Sequence, residues 1–318
     1  MTRRALLAVS GILAGVLAAP ALRAQARSLR LIVPFGPGGI TDLVSRVVAE
    51  RMALELGQPV VVENRAGAGG NIAAEAAAKA APDGLTLLVA STGMLAVNPA
   101  IYARLPYDAA RDFTPVALLA STPHVLVVNP KVATDLPGFL AAARQQEEAV
   151  SWGTAGSGSS PHQTLLLLQS LAAARLLTVH FRSGAASVQA VLAGDVAATA
   201  EATPVVAGHV RAGTLRALCV AAPKRLALLP EVATAAELGL PGFENGSVSG
   251  IVAPRGIPDA ALARLASAIA AALAAPEVQA RLVQQGTVPL PGDGAAFARL
   301  VAAETARWQP LLAGVRAE

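Results

Sequence analysis

The stretch Leu29-Arg30-Leu31-Ile32-Val33-Pro34-Phe35-Gly36-Pro37-Gly38-Gly39-Ile40-Thr41-Asp42 is an apolar run that breaks on a proline- and glycine-rich turn and then resumes with a new period. Residues 29–35 have the length and apolar content of a strand buried on both faces. Beyond the turn, Ile40, Leu43, Val44, Val47, Val48 and Met52 recur every three or four residues, which is one face of a helix. Gly57 marks its end. A strand passing through a tight turn into a helix is the repeating unit of an α/β fold.

The unit recurs downstream. A strand at 60–63 runs into Asn64-Arg65-Ala66-Gly67-Ala68-Gly69-Gly70, and an alanine-rich helix over 71–81 closes at Pro82-Asp83-Gly84. A third strand, 85–90, ends at Ser91-Thr92-Gly93. A second set begins with a strand near 124–128. Strands at 150–153 and 177–181 flank a helix at 161–174, and a helix at 188–192 precedes strands at 196–201 and 215–222. The proline-rich segment 223–241 reads as irregular, with a short helix near 234–238. A strand at 249–253 leads to helices at 259–274 and 276–285 and a last helix within 292–317. The pattern predicts an α/β protein of two lobes, each a mainly parallel sheet flanked by helices. Lobe one spans 27–127, lobe two 128–250, and 251–318 returns to lobe one, with crossings near 125–129 and 249–254.

Composition narrows the function. With 54% hydrophobic and 14% charged residues in 318, the chain can bury a large core. The net charge of +4 is spread along the chain and aromatics make up 3%, so the clustered basic footprint of a nucleic-acid binder is absent. Mild positive charge suits an anionic small ligand. The lone Cys219 sits in an apolar run and reads as a small core residue, with neither a disulfide partner nor a catalytic setting. His124, His180 and His209 lack the spacing of metal ligands, and no metal or cofactor is expected.

Residues 1–26 read as a secretory leader. Arg3 and Arg4 precede an apolar stretch over 5–19, followed by Ala19, Ala21, Ala24 and Ala26. Cleavage is expected after Ala24 or Ala26. No later run has the continuous apolar length of a membrane-spanning helix.

Three turns then carry the chemistry: residues 34–42, residues 67–71, and Thr154-Ala155-Gly156-Ser157-Gly158-Ser159-Ser160-Pro161-His162. Each links a strand end to a helix start. Glycine lets a ligand approach the backbone, and helix starts present unpaired amides at the positive end of the helix dipole. Both features favour an anion. In the third turn Ser160, Pro161 and Gln163 fit a cap, a first-turn proline and a capping-box partner. No Gly-Lys-Ser/Thr phosphate loop and no clear dinucleotide fingerprint is present.

Other residues have two readings. Asp42 in a helix first turn favours the dipole with or without a ligand. Arg182 fits either a ligand carboxylate or a surface ion pair. Glu201 at a strand end fits a cleft edge, facing an amine or hydroxyl, or a solvent-facing position. His162 fits a structural or ligand hydrogen bond better than a general base, since no nucleophile–base–acid order accompanies it.

These strings together resemble a known family. Leu31-Ile32-Val33-Pro34-Phe35 with Pro37-Gly38-Gly39 and Asp42, Val61-Val62-Glu63-Asn64-Arg65 with Gly67-Ala68-Gly69-Gly70, and Pro82-Asp83-Gly84 with Thr86-Leu87-Leu88 are similar to the signatures of Bug-type receptors. These are the periplasmic substrate-binding proteins of tripartite tricarboxylate transporters, and the likeness runs through Gly156, Gly158 and His162 to the C-terminal helices. The resemblance implies a type II Venus-flytrap fold and capture of a small organic anion: a di- or tricarboxylate, an amino acid or an aromatic acid. It also implies a monomer in the periplasm that serves membrane transporter subunits and performs no catalysis. Carried over residue by residue, it implies ligand contacts from Phe35, Gly38, Gly39, Thr41, Asp42, Gly69, Gly70 and Asn71. Ser91 and Thr92 would line the same wall, with Thr154, Ser157, Gly158 and His162 opposite. The sequence departs from the family pattern at Phe181-Arg182-Ser183-Gly184, at the apolar run 165–168, and at Glu201, where the family usually has Asp at a position facing the distal part of the ligand. Two alternatives accompany this reading. One is an exported hydrolase using Ser157 or Ser159 with His162; the other is a ligand-sensing domain for a signalling partner.

Overall fold

The computed structural model describes residues 27–145 and 150–317; the leader assigned to 1–26 lies outside the described residues. In chain order the elements are β1 (Leu29–Val33), α1 (Ile40–Leu56), β2 (Val60–Asn64), α2 (Asn71–Ala78), β3 (Thr86–Ser91), α3 (Asn98–Ile101), β4 (Phe113–Val128), α4 (Leu136–Gln145), β5 (Val150–Thr154) and α5 (Ser160–Ala172). They continue with β6 (Leu176–His180), α6 (Gly184–Ala193), β7 (Ala198–Ala202), α7 (Thr203–Arg211), β8 (Arg216–Ala221), β9 (Gly246–Pro254), α8 (Asp259–Ala274), α9 (Pro276–Gln284), β10 (Val288–Asp293) and α10 (Gly294–Trp308).

The strand–turn–helix units build two parallel triplets, β2-β1-β3 and β6-β5-β7. Between them the sheet is antiparallel, because two strands carry the chain from one lobe to the other. β4 is the spine. Its first part, up to Pro123, pairs with β9; from His124 onward it lies between β7 and β8. β3 pairs with β9 and β10 with β4, both antiparallel. The parallel character expected of each lobe thus belongs to its outer strands. The crossing falls at Pro123–His124, just ahead of the expected 125–129. Pro123 can give no amide to a ladder. Its partner Gly246 passes so near the Thr122 carbonyl that a Cβ there would lie 2.5 Å from the oxygen.

Each half of the sheet is covered on both faces. Leu31, Val44, Met52, Leu265 and Ile269 pack on one side of the first, and Ile32, Ala73, Leu88 and Phe297 on the other. Alanines at 73, 74 and 77 are fully buried, so alanine richness here lets α2 approach the sheet closely. In the second half, Leu126 and Val128 of β4 join Trp152, Phe139 and Leu168, while Val125 and Val127 join Val188, Val191 and Val220. That alternation is the two-residue period of a strand buried on both faces. Trp308 and Leu312 belong to the Trp152 cluster, and the Ala317 amide bonds the Ile101 carbonyl. The end of the chain therefore packs against the second lobe, although 251–318 as a whole was expected on the first.

One local reading changes. The expected helix near 234–238 is a turn, with Thr234 bridging Val220. α4, at a stretch for which no element was expected, starts with a Pro137-Gly138 pair; the Gly138 amide is held by the Asp135 carboxylate at 2.7 Å. The last helix expected within 292–317 is α10, and β10 precedes it as an additional strand. Cys219 is fully buried, which pushes its thiol up to about 12 and keeps it protonated. Among the described residues no single helix is long and apolar enough to cross a membrane, and no group of three His, Cys, Asp or Glu is placed to hold a metal ion.

Candidate ligand cleft

The predicted site residues fall into two groups. The first lines a small cavity between the lobes. Phe35, Gly39, Ile40 and Thr41 come from the β1–α1 turn, Ser159, Ser160 and Pro161 from the start of α5, Gly184 from the start of α6, Glu201 from β7 and Ser247 from β9. Three helix N-termini therefore converge, those of α1, α5 and α6. The start of α6 takes the place expected of α2. Ser183 caps α6 by accepting the Ala186 amide at 3.2 Å, and a serine–glycine pair before an apolar helix is the signal that would have marked it. The cavity measures about 20 Å³, room for one or two waters. A ligand larger than that enters only if the lobes part.

The β1–α1 turn is held from behind. The buried Asp42 carboxylate accepts the Gly38 amide at 3.1 Å, Asn64 Nδ2 at 2.9 Å and a two-pronged contact from Arg46, at 3.1 Å from Nε and 2.8 Å from Nη2. Asn64 Nδ2 also donates to the Phe35 carbonyl at 2.9 Å. The Asp42 oxygens are thus engaged in positioning the loop. Arg46 and Asn64 were missed as part of this clamp, although Arg46 stands four residues after Asp42, the spacing of a helical ion pair. Burial alone would raise the Asp42 pKa. Hydrogen bonds from Arg46, Asn64 and Gly38, with the Arg46 charge, outweigh burial and leave it below the usual carboxylate value. A lowered folded pKa stabilises at pH above the unfolded value, and the benefit fades as pH falls through the folded one. Asp42→Asn should therefore lower stability by about 1.5–3 kcal/mol at pH 7, and chemical unfolding should show the gap to the parent shrinking below about pH 4.

Gly38 has φ 80°, so it is the residue that needs glycine in this turn. Gly39 is extended at φ −77°, and a Cβ there would meet nothing nearer than 3.7 Å. The openness of the cavity wall, not backbone strain, is what Gly39 supplies.

The second group forms a seam where the lobes touch. Gly69 faces the Ser157 carbonyl, Gly93 faces the Gly158 carbonyl, and Gly158 lies against Asn98; a Cβ on any of these glycines would stand 2.2 Å or less from an oxygen. Gly70 packs on Met94 and Pro34. Asn71 Oδ1 accepts from Asn98 Nδ2 at 2.7 Å and from the Tyr107 hydroxyl at 3.1 Å. Ser91 Oγ accepts the Met94 amide, and Thr92 is buried beside it. The Gly36 amide donates to the Arg182 carbonyl at 2.9 Å. The Arg182 side chain itself is exposed, so at the lobe contact this residue contributes backbone.

The third turn is braced by histidines. Thr154 Oγ1 pairs with His180 Nδ1 at 2.6 Å, and Ser157 Oγ with His180 Nε2 at 2.8 Å. His162 Nδ1 accepts the Gly158 amide at 3.0 Å, and burial, with the nearby His180, lowers its pKa to about 4. The helix cap is Ser159 rather than Ser160, and Ser159 Oγ donates to the Gly156 carbonyl at 2.6 Å. The hydrolase reading needs a serine on His162 and an acid behind that ring. Here Ser157 is on His180, whose second nitrogen meets a threonine. The geometry is that of a braced loop.

Beneath the cavity runs a polar chain. Ser160 Oγ meets Ser247 Oγ at 2.8 Å, Ser247 meets His124 Nε2 at 2.9 Å, and His124 Nδ1 meets Thr164 Oγ1 at 2.8 Å. Burial lowers the His124 pKa to about 3, so the ring is neutral and passes one hydrogen bond on each side. Glu201 is 2% exposed. Its carboxyl lies against Gly184, and its Oε1 has no hydrogen-bond partner among the described residues. Burial, opposed by the Ala202 amide, raises its pKa to about 8.

The chain and its fold match known proteins closely. Residues 44–316 match the model of the tripartite tricarboxylate transporter family receptor. Protein BugT of Bordetella pertussis is 38% identical over 315 residues, covering 97% of this chain and 96% of that one. MatC of Rhodopseudomonas palustris, solved with bound malate, superposes with a TM-score of 0.86 at 36% identity, over 90% of this chain and 99% of that one. A second R. palustris protein, solved with adipate, gives 0.87 at 33% identity, over 91% and 98%. The fold is thus the two-lobed fold of the periplasmic binding proteins, and the chain belongs to the tripartite tricarboxylate transporter receptor family, with a solute-binding role associated with transport.

Proposed function

We propose that this receptor captures a small organic acid carrying two carboxylates in the cleft between its lobes, in the periplasm, and presents it to the membrane subunits of its transporter. The observation that carries the reading is the convergence of the α1, α5 and α6 N-termini on one small cavity. Their first-turn amides lack helical partners, and their dipoles add at the same point. A carboxylate there accepts charge-assisted hydrogen bonds in a dry setting. The malate and adipate bound to the two R. palustris relatives are both dicarboxylates, which supports the same class here. Binding and closure account for the site without a reaction. The lobes part, the acid docks on the helix ends, and the seam of glycines closes over it.

The direct test is native mass spectrometry of the protein taken from a periplasmic extract without refolding. The expected spectrum shows a chain beginning near Gln25 or Arg27 with an added mass that tandem fragmentation identifies as a dicarboxylic acid. A co-purified sugar or polyamine, or an uncleaved chain, would count against the reading.

A further inference from the structure

Glu201 stands at the meeting point of three helix N-termini, where an anion is expected, yet it is itself an acid. Glu201 lines the cavity and its buried Oε1 has no hydrogen-bond partner among the described residues, so a ligand in the cleft is placed to supply one. A ligand carboxylate can only accept hydrogen bonds, and two ionised carboxylates in contact repel strongly at low dielectric. One of the pair must then carry a proton. We propose, resting on the dicarboxylate reading, that Glu201 is a carboxylic acid in the loaded cleft, that it donates its proton to a ligand carboxylate oxygen, and that capture of the anion therefore takes up a proton.

The surroundings fit this assignment. Among the described residues, the titratable and charged groups on the elements around β7 are His124 on β4, His162 on α5, His180 on β6, Arg182 before α6, Asp42, Arg46, Glu50, Arg51 and Glu55 on α1, and His209 and Arg211 at the end of α7. His124 and His162 are held neutral by burial, Asp42 is engaged by Arg46, and Arg182 is exposed. Burial in the closed cleft raises the Glu201 pKa to about 8, whereas a carboxyl opened to water returns toward 4.5. Closure over the ligand then draws one proton from solution between those values. Adipate has no hydroxyl to donate to an ionised Glu201, and an ammonium group on a ligand would have to sit among three positive helix ends.

The test is calorimetry with malate and adipate between pH 6.5 and 8, where these acids are ionised, in buffers of different ionisation enthalpy. The parent should take up about one proton per ligand, and its dissociation constant should weaken by up to about tenfold per pH unit. Glu201→Gln keeps a donor of the same shape but does not titrate. It should bind at all these pH values with neither proton uptake nor pH slope. Chemical unfolding at saturating ligand gives a second readout. A raised pKa in the loaded, folded protein means stability that is full below about pH 4.5 and is lost as pH rises toward 8; Glu201→Gln should flatten that loss. Binding of either acid with no proton uptake would overturn the proposal and leave the dicarboxylate reading intact. Selective binding of amino acids, lost in Glu201→Gln, would overturn it in favour of an ionised Glu201 facing an ammonium. If neither acid binds at any pH, the functional reading fails and the proposal with it.

Discussion

Replacing Gly93 by alanine is expected to abolish ligand capture while leaving a folded protein. Gly93 has no positive φ, so alanine fits its backbone without strain. The added Cβ would lie 2.2 Å from the Gly158 carbonyl oxygen and 2.5 Å from Gln163 Nε2, both across the seam. Gly158 cannot retreat easily, since its amide is held by His162 and its carbonyl by Gln163. The relief available is to hold the lobes apart. A ligand that binds only the closed form loses affinity in proportion to the closed population. We expect at least a hundredfold weaker binding, about 2.8 kcal/mol, with a larger radius of gyration in solution scattering. Gly208→Ala is the control. It lies in α7 with nothing within 4 Å of a Cβ, and alanine there should stabilise by up to about 1 kcal/mol without touching binding. Unchanged affinity in Gly93→Ala would mean that the seam is not where closure happens.

The second large effect is on stability. Trp308→Ala removes a fully buried ring that pins the end of α10 to the second-lobe core, beside Trp152, Leu168 and Leu312. It also leaves Glu304, which accepts the indole N–H at 2.7 Å, without that donor. Truncating a buried tryptophan costs about 3–5 kcal/mol, since the lost transfer energy and the cavity add. The melting midpoint should fall by roughly 5–15 °C. A loss under about 1 kcal/mol by chemical unfolding would show that the chain's last turn adds little to that lobe.

How much of this was legible in the sequence depends on whether a segment's partner is local. The strand–turn–helix units at β1–α1, β2–α2 and β5–α5 follow from period and turn chemistry, and their ranges agree within a few residues. β4 was read only over its last third. Pro115 and Pro123 interrupt its first part, and what keeps that part extended is pairing with β9, more than a hundred residues away. Phe35, Gly39, Thr41 and Glu201, all expected at the cleft, line one cavity. Gly69, Gly70 and Asn71 were assigned to the same wall because their turn has the same composition. They lie on the seam instead, since α2 is turned toward Asn98 and Tyr107. No local signal separates a glycine that admits a ligand from one that admits another backbone. Ser160, Gly184 and Ser247 meet only after the lobes close, and Ser247 joins them through contacts set by the crossing of β4 and β9.

The central claim, that the cleft recognises ligand carboxylates at converging helix ends, is tested most directly by thermal unfolding with malate and adipate beside their neutral diamides. The diamides keep the length and hydrogen-bonding reach of the acids but carry no charge. At a hundred times its dissociation constant a bound acid should stabilise the folded protein by about 2.7 kcal/mol, and the diamides should leave the midpoint where it is. Equal stabilisation by acid and diamide, or stabilisation by cations or sugars alone, would contradict the account.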